Sequence, residues 1–362
     1  VADRRPERIA ELRETLLRQH LDALLVASLP NVRYLTGFSG SNALLLVSHQ
    51  ELLLLTDFRY ETQVRDEVGD FARVSVEPRS LWDGLWSALA GVTTVSSVGF
   101  ESAHMLHRDF QRLLEQGRRW QWRPTTDLVE SLRERKDPEE VQAIQDAADV
   151  AVAALGRTLE QVRPGMTELQ VTGILEMELR SAGSEGFAFP TIVASGPRSA
   201  LPHARSSERE LRSGDLLLVD FGAVVRGYCS DVTRTVVLGR ADDRQRELYG
   251  VVRDANALAT TEIRPGMSGR DADALARDYI HLLGHGPLFG HSLGHGIGLE
   301  VHEAPRLART SDAILPENAV VTIEPGVYVP GWGGIRVEDD VLLLAGGARV
   351  LTDFPRDLLE LT

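Results

Sequence analysis

The sequence predicts an α/β N-terminal domain followed by an α+β domain with an internal pseudo-twofold duplication. Three observations carry that prediction. Short apolar runs alternate with helix-periodic segments over the first third of the 362 residues. In the second part Arg163-Pro164-Gly165-Met166-Thr167 returns 101 positions later as Arg264-Pro265-Gly266-Met267-Ser268. Each copy then leads to an apolar run that ends in a carboxylate and a glycine.

In the first third, residues 23–26, 43–47, 52–56 and 95–100 are predicted strands, and residues 7–18 and 105–116 predicted helices. Gly37, Ser39, Gly40, Ser41 and Asn42 mark a loop; a phosphate cradle is the poorer reading, because no P-loop lysine follows. The N-terminal domain is expected over residues 1–125, with a linker at 126–136 and the second domain at 137–362. Asp137-Pro138-Glu139-Glu140 is a strong helix start, with an N-cap acid, a proline at the first position and acids facing the positive end of the dipole. Val141, Ile144, Ala148 and Val152 continue it on one face.

The two halves of the second domain then match. Residues 216–222 run Leu-Leu-Leu-Val-Asp-Phe-Gly, and residues 319–326 run Ala-Val-Val-Thr-Ile-Glu-Pro-Gly. Asp231 and Glu338 each precede a returning apolar strand, so Asp220, Asp231, Glu324 and Glu338 are expected to converge where two sheets meet. Ionised carboxylates taken from water need a partner, and a pair of divalent cations suits four of them; four separate surface acids is the plainer alternative, which the symmetry of the set makes the weaker. Six of the ten histidines lie in this domain, with His291, His295 and His302 inside one glycine-rich stretch. Gly294, Gly296 and Gly298 argue against a regular helix and for close approach of the backbone to something bound, and their spacing does not fit a dinucleotide fingerprint.

Composition narrows the function classes. With 43% hydrophobic and 25% charged residues, the chain can bury two full cores. Lys+Arg 39 against Asp+Glu 53 leaves a net charge of -14, which disfavours nucleic acid. The single cysteine, Cys229, excludes an internal disulfide and a thiolate-rich metal site, and reads as a small filler rather than a reactive thiol. No apolar run approaches the roughly 20 residues that span a bilayer, and the first residues lack an apolar signal core. No membrane partner and a cytoplasmic location are expected.

Asp220, Asp231, His295, Glu324 and Glu338, set in Gly294-His295-Gly296-Ile297-Gly298, Glu324-Pro325-Gly326 and Arg336-Val337-Glu338-Asp339, resemble the five-ligand dinuclear site of the pita-bread metallopeptidases. That superfamily includes methionine aminopeptidases, prolidases, aminopeptidases P and creatinase, and the likeness here is to its M24B branch. The ligand order is complete, unlike that of members that have lost metal ligands. Residues 136–362 match the pita-bread catalytic domain, and residues 1–125 are similar to the creatinase/prolidase-like N-terminal domain that methionine aminopeptidases usually lack.

The resemblance implies two divalent ions, Mn²⁺ first, with Co²⁺, Zn²⁺ or Fe²⁺ as alternatives. Asp220 would be a terminal ligand of one ion, His295 and Glu324 terminal ligands of the other, and Asp231 and Glu338 bridges. A bridging hydroxide would be the nucleophile, with Glu324 as general base and then acid. His302 would polarise the scissile carbonyl with one metal, His203 and His291 would line the proline-side pocket, and Tyr328 and Arg336 would support the ligand carboxylates. Peptides with proline at the second position are the implied substrates, since an Xaa-Pro bond lacks an amide hydrogen. Asp57-Phe58-Arg59-Tyr60 resembles the Asp-x-Arg-Tyr signature of small bacterial aminopeptidases P; its plainer reading is a capping Asp57 with a surface Arg59 beside Tyr60. On that basis aminopeptidase P is expected ahead of Xaa-Pro dipeptidase, with methionine aminopeptidase or a non-catalytic scaffold further behind. A homodimer is the expected assembly.

Overall fold

Leucine-rich runs with hardly a polar residue belong in the middle of a sheet covered on both faces, and the first unit places them there. The computed structural model describes residues 3–92 and 94–361, and the chain divides into the units Val1–Arg133 and Glu134–Thr362. In the first, β1 (Ala23–Val26), β2 (Ala43–Ser48), β3 (Leu52–Asp57), β4 (Arg73–Glu77), β5 (Ser97–Glu101) and β6 (Gln121–Thr125) form one sheet of order β4-β3-β2-β1-β5-β6. β2 runs antiparallel to β1 and β3, and the other pairings are parallel. α1 (Arg5–Arg18), α2 (Leu29–Thr36), α3 (Glu61–Val68), α4 (Leu81–Gly91) and α5 (His107–Gln116) complete the α/β domain.

Two strands had no counterpart in the sequence reading, β4 and β6. Both are edge strands, and Arg73, Gln121, Arg123 and Pro124 are exposed on them. An edge has one rim in water and tolerates proline, so it needs no apolar run. The residues read as a linker, 126–136, contain α6 (Glu130–Arg133), whose Arg133 is buried and donates to Asn31 Oδ1 at 2.7 Å. That bond ties the segment into the first unit.

The second unit opens on α7 (Pro138–Leu159) with the cap that its sequence specifies. Asp137 accepts from the amides of Glu139 and Glu140 at 2.9 and 3.0 Å, and Glu140 returns a bond to the amide of Asp137 at 3.0 Å. α8 (Glu168–Ser181), β7 (Ile192–Ser195), β8 (Leu216–Phe221), the short β9 (Val224–Val225) and β10 (Tyr228–Cys229), and β11 (Val232–Leu238) make the first half. α9 (Asp243–Glu262), α10 (Gly269–Leu282), β12 (Gly294–Gly296), β13 (Glu303–Leu307), β14 (Val320–Ile323), β15 (Gly326–Val329), β16 (Gly333–Arg336), β17 (Asp339–Leu344) and β18 (Gly347–Val350) make the second. β19 (Glu360–Leu361) returns to pair with β11.

The repeated pentapeptide is a repeated structure. Gly165 and Gly266 take φ of 89° and 88°, a region that glycine enters without strain. Each donates its amide at 2.8 Å to a leucine carbonyl, that of Leu211 in one half and Leu315 in the other. Thr167 and Ser268 then cap α8 and α10. The two sheets, β19-β11-β8-β7 and β13-β12-β14-β17-β18, each hold an antiparallel hairpin, β8 with β11 and β14 with β17. Helices cover both: Ala151 and Leu155 of α7 join the core under Val219 and Val236, and Val252 and Ala255 of α9 the core under Val321 and Ile323. The pseudo-twofold α+β plan is therefore present in full.

Candidate metal centre

The strand ends bring the acids together as the duplication implies. Asp220 lies in β8, Asp231 just before β11, Glu324 just after β14 and Glu338 just before β17, and His295 is the middle residue of β12. Asp231, His295 and Glu338, all buried, each offer a ligand atom, and these atoms lie within 4.8 Å of one another. His295 Nε2 is 3.7 Å from Asp231 Oδ2 and 3.6 Å from Glu324 Oε1. His295 Nδ1 sits 3.0 Å from the Gly296 carbonyl, a contact that places the proton on Nδ1 and leaves Nε2 a free lone pair facing the acids. Burial, helped by His302, lowers its pKa to about 4, so the imidazole is neutral at pH 7.

The acids are short of positive charge. Burial, together with Asp220, pushes the Glu338 carboxyl up to about 8. Asp231 and Glu324 are raised well above the ordinary range by burial and then by Glu338. Among the described residues, Asp220 Oδ1 and Asp231 Oδ1 are buried oxygens without a hydrogen-bond partner. Buried lone pairs aimed at a cluster of like charges fit a divalent cation, and an oxygen-rich set with one imidazole suits Mn²⁺, Co²⁺, Zn²⁺ or Fe²⁺.

Arg336 is the protein's own partial answer. Its Nη2 donates to Asp220 Oδ2, its Nε to Thr233 Oγ1 at 3.0 Å and its Nη1 to the Tyr328 hydroxyl at 2.7 Å. Thr233 Oγ1 in turn donates to Glu338 Oε2 at 2.5 Å. Tyr328 OH also meets His291 Nε2 at 2.9 Å. One guanidinium thus orients carboxylates from both halves and connects them to a histidine. Asp340 was not foreseen; its Oδ2 accepts the Asp231 amide at 3.0 Å and fixes the approach of that acid.

The other histidines gather at the same place. His291 is held near 4 by burial and the charge of Arg336, and its Nδ1 is 3.9 Å from Glu324 Oε2. The His302 ring stands 4.3 Å from the ring of His295. Its pKa is lowered by burial and next by His203, whose charge also acts on His291. The segments carrying His203 and His291 are each clamped by a buried acid with an arginine. Glu168 Oε2 accepts Arg198 Nε and the Ser207 amide, both at 3.0 Å. Asp273 Oδ1 accepts the Leu293 amide at 3.0 Å, while Arg277 donates to the His291 carbonyl at 2.6 Å.

Two motifs of the sequence make local contacts. Gly294, Gly296 and Gly298 do approach a neighbour closely, but the neighbour is the protein itself. A Cβ at Gly294 would lie 2.0 Å from the Thr322 carbonyl, at Gly296 2.1 Å from that of Ala304, and at Gly298 2.7 Å from Glu303 Oε2. Close approach of neighbouring backbone, and at Gly298 of the Glu303 carboxylate, accounts for these glycines. In the first unit, Asp57 is a cap that accepts the Arg59 amide at 3.0 Å and pairs with Arg59 Nη2 at 2.8 Å, while Tyr60 OH meets Ser41 Oγ at 2.5 Å. The plainer reading of that motif is the one its geometry satisfies.

Known proteins resemble the chain over its whole length. The profile of metallopeptidase family M24 matches residues 142–345, and that of the creatinase/prolidase N-terminal domain residues 8–135. A Pyrococcus horikoshii protein named Xaa-Pro dipeptidase is 34% identical, over 98% of this chain and 99% of its own. The structure of a Bacillus anthracis protein titled Xaa-Pro dipeptidase superposes with a TM-score of 0.95 at 37% identity, covering 99% of this chain and 100% of that one. A Thermotoga maritima structure titled X-Pro aminopeptidase superposes at 0.90 with 36% identity, covering 97% and 99%. The buried Asp-His-Glu cluster at the junction of two duplicated hairpins, and this likeness from end to end, place the chain in metallopeptidase family M24, as a pita-bread enzyme with a creatinase/prolidase-type N-terminal domain.

Proposed function

We propose that this protein is an Xaa-Pro dipeptidase that works with two divalent metal ions held by Asp220, Asp231, His295, Glu324 and Glu338. The observation that carries the reading is the group of buried carboxylates around a neutral His295, raised in pKa and opposed by Arg336. Bound divalent cations supply Lewis acidity and a water that ionises near neutral pH. Asp231 and Glu338, whose carboxylates come from the two halves, would be shared between the ions, and Asp220 and the pair His295 and Glu324 would hold them on either side. Glu324, whose Oε1 lies 3.6 Å from His295 Nε2, would take the proton from water and hand it to the leaving imino nitrogen. His302 would donate to the scissile carbonyl, and His203 and His291 would line the pocket for the proline ring.

The dipeptidase reading replaces aminopeptidase P as the first choice. The Asp57-Arg59 pair that suggested the latter is accounted for by local capping, and relatives similar over nearly the whole chain carry the name Xaa-Pro dipeptidase. Manganese is the first metal to supply, and the reading extends to a homodimer in the cytoplasm. Hydrolysis of an Xaa-Pro dipeptide and of the corresponding Xaa-Pro-Yaa tripeptide, with added Mn²⁺, tests it. The expected result is a strong preference for the dipeptide; equal or better cleavage of the tripeptide restores aminopeptidase P.

A further inference from the structure

Of the 39 basic residues in this chain, all but one are arginine; the exception is Lys136. That lysine is buried. Its side chain is 1% exposed, and its ammonium lies 3.1 Å from Oε2 of Glu303, itself 6% exposed at the side chain. An ammonium is a compact donor on a slim stem, whereas a guanidinium is a wide planar fork, so the two do not exchange in a closed pocket.

Glu303 follows His302 and opens β13. Its Oε1 accepts the Glu300 amide at 3.0 Å, and the Glu300 carbonyl accepts the Gly298 amide at 3.1 Å. The backbone at Gly298 approaches Glu303 so closely that a Cβ there would sit 2.7 Å from Oε2. Outside bonds fasten the start of the turn: the Ile297 amide donates to the Val320 carbonyl at 3.1 Å, and the Cys229 amide to the Gly298 carbonyl at 2.8 Å. The Lys136 amide is anchored to the Asn318 carbonyl at 2.9 Å. The turn between β12 and β13 therefore closes around one carboxylate, and the lone lysine holds that carboxylate. His302 rides on this turn.

We propose that Lys136 is a positioning residue: through Glu303 it sets the 298–303 turn so that the His302 imidazole stands beside His295 at the candidate centre. The inference rests on the Xaa-Pro peptidase reading for what His302 does, and on the contacts above for how it is held. It is the third member of a set, since the His203 and His291 segments are held by the arginine pairs with Glu168 and Asp273. Removing the ammonium takes away a cation that lies 3.1 Å from a buried carboxylate, which loosens the turn more than the loss of a surface pair would.

The test compares the wild type with Lys136→Met and Lys136→Arg. In the metal-free proteins, amide hydrogen exchange in Lys136→Met is expected to quicken about tenfold over residues 298–303 and to stay unchanged in α7 and β8. In the metal-loaded proteins, kcat on an Xaa-Pro dipeptide is expected to fall about tenfold while KM stays within about twofold and bound metal per chain stays at the wild-type level. Lys136→Arg, which keeps the charge but not the fit, gives the same split in smaller measure. If Lys136→Met does not fold, Lys136→Met combined with Glu303→Gln removes both charges and yields the same readings. Wild-type exchange, an unchanged kcat, a kcat that falls only together with bound metal, or failure of both variants to fold overturns the proposal. A wild type that hydrolyses no Xaa-Pro dipeptide overturns the peptidase reading instead, and the exchange measurement then decides the positioning role alone.

Discussion

Glu338 and Asp339 are neighbours in the chain, both buried, yet their surroundings are opposite. Successive side chains of a strand point to opposite faces, so one step along the backbone moves a carboxylate from one environment to the other. Asp339 meets Arg234 Nη2 at 2.8 Å, Arg356 Nε at 2.7 Å and Thr352 Oγ1 at 2.9 Å. Burial alone would raise its pKa, but Arg234 and Arg356 hold it below the ordinary value. Glu338 receives Thr233 and faces Asp220, and its pKa goes the other way, up to about 8. The protein has completed one acid with its own cations and left the other short of charge. That shortage, confined to the face that carries Asp231 and His295, separates a cation site from a structural ion pair.

The comparison breaks if Asp231→Ala keeps its metal. The expected outcome is loss of bound metal and of peptide hydrolysis together, checked by elemental analysis and by turnover of an Xaa-Pro dipeptide. Removing the metal should expose the charge shortage as a pH effect. Between the ordinary glutamate value of 4.5 and about 8, the folded metal-free chain keeps a proton on Glu338 that the unfolded chain has released. Its stability is then fully present below the lower value and is lost as pH rises through the upper one. The metal-free protein should melt at a lower temperature at pH 8 than at pH 7, above the range in which the unfolded counterparts of His291 and His295 titrate, and loading with Mn²⁺ should flatten that slope; a metal-free melting temperature that rises over that interval contradicts the assignment.

On the completed face, Arg234→Met takes one of the two arginines from Asp339 and should cost about 3 kcal/mol in urea unfolding. The metal content of the folded fraction should not change, and a variant that lost metal as readily as stability would show that the two faces are not independent. The smallest change sharpens the site itself. His302→Ala should keep the metal and lower kcat on the order of a hundredfold, as the loss of one donor to a developing oxyanion does. Wild-type turnover in that variant would remove His302 from the reaction.

Much of this centre was legible in the sequence because duplication repeats a signal. Asp220 and Glu324 end apolar strands, Asp231 and Glu338 begin them, and a carboxylate on an apolar strand needs a reason whatever the rest of the fold does. The distinction between Glu338 and Asp339 was not legible, since the partner that completes Asp339 comes from β11, far away in the chain. The same holds for Thr233 and Asp340, which read as ordinary strand residues until the register sets Asp220 opposite Thr233. Edge strands β4 and β6 left no apolar trace. The glycines around His295 signalled close approach correctly, but a sequence does not say whether backbone or ligand is approaching. Lys136 offered the one unused signal, as the single departure from an otherwise complete preference for arginine.

Lys136 has a practical consequence as well. It is the third residue of the second unit, directly before the Asp137 that caps α7. A protease that cuts only after lysine can divide the unfolded chain at one bond, into residues 1–136 and 137–362. In the native protein that side chain is closed off against Glu303. One band becoming two on a gel thus reports the opening of the segment that Lys136 and Asp137 anchor, and the fragments released correspond nearly to the two units.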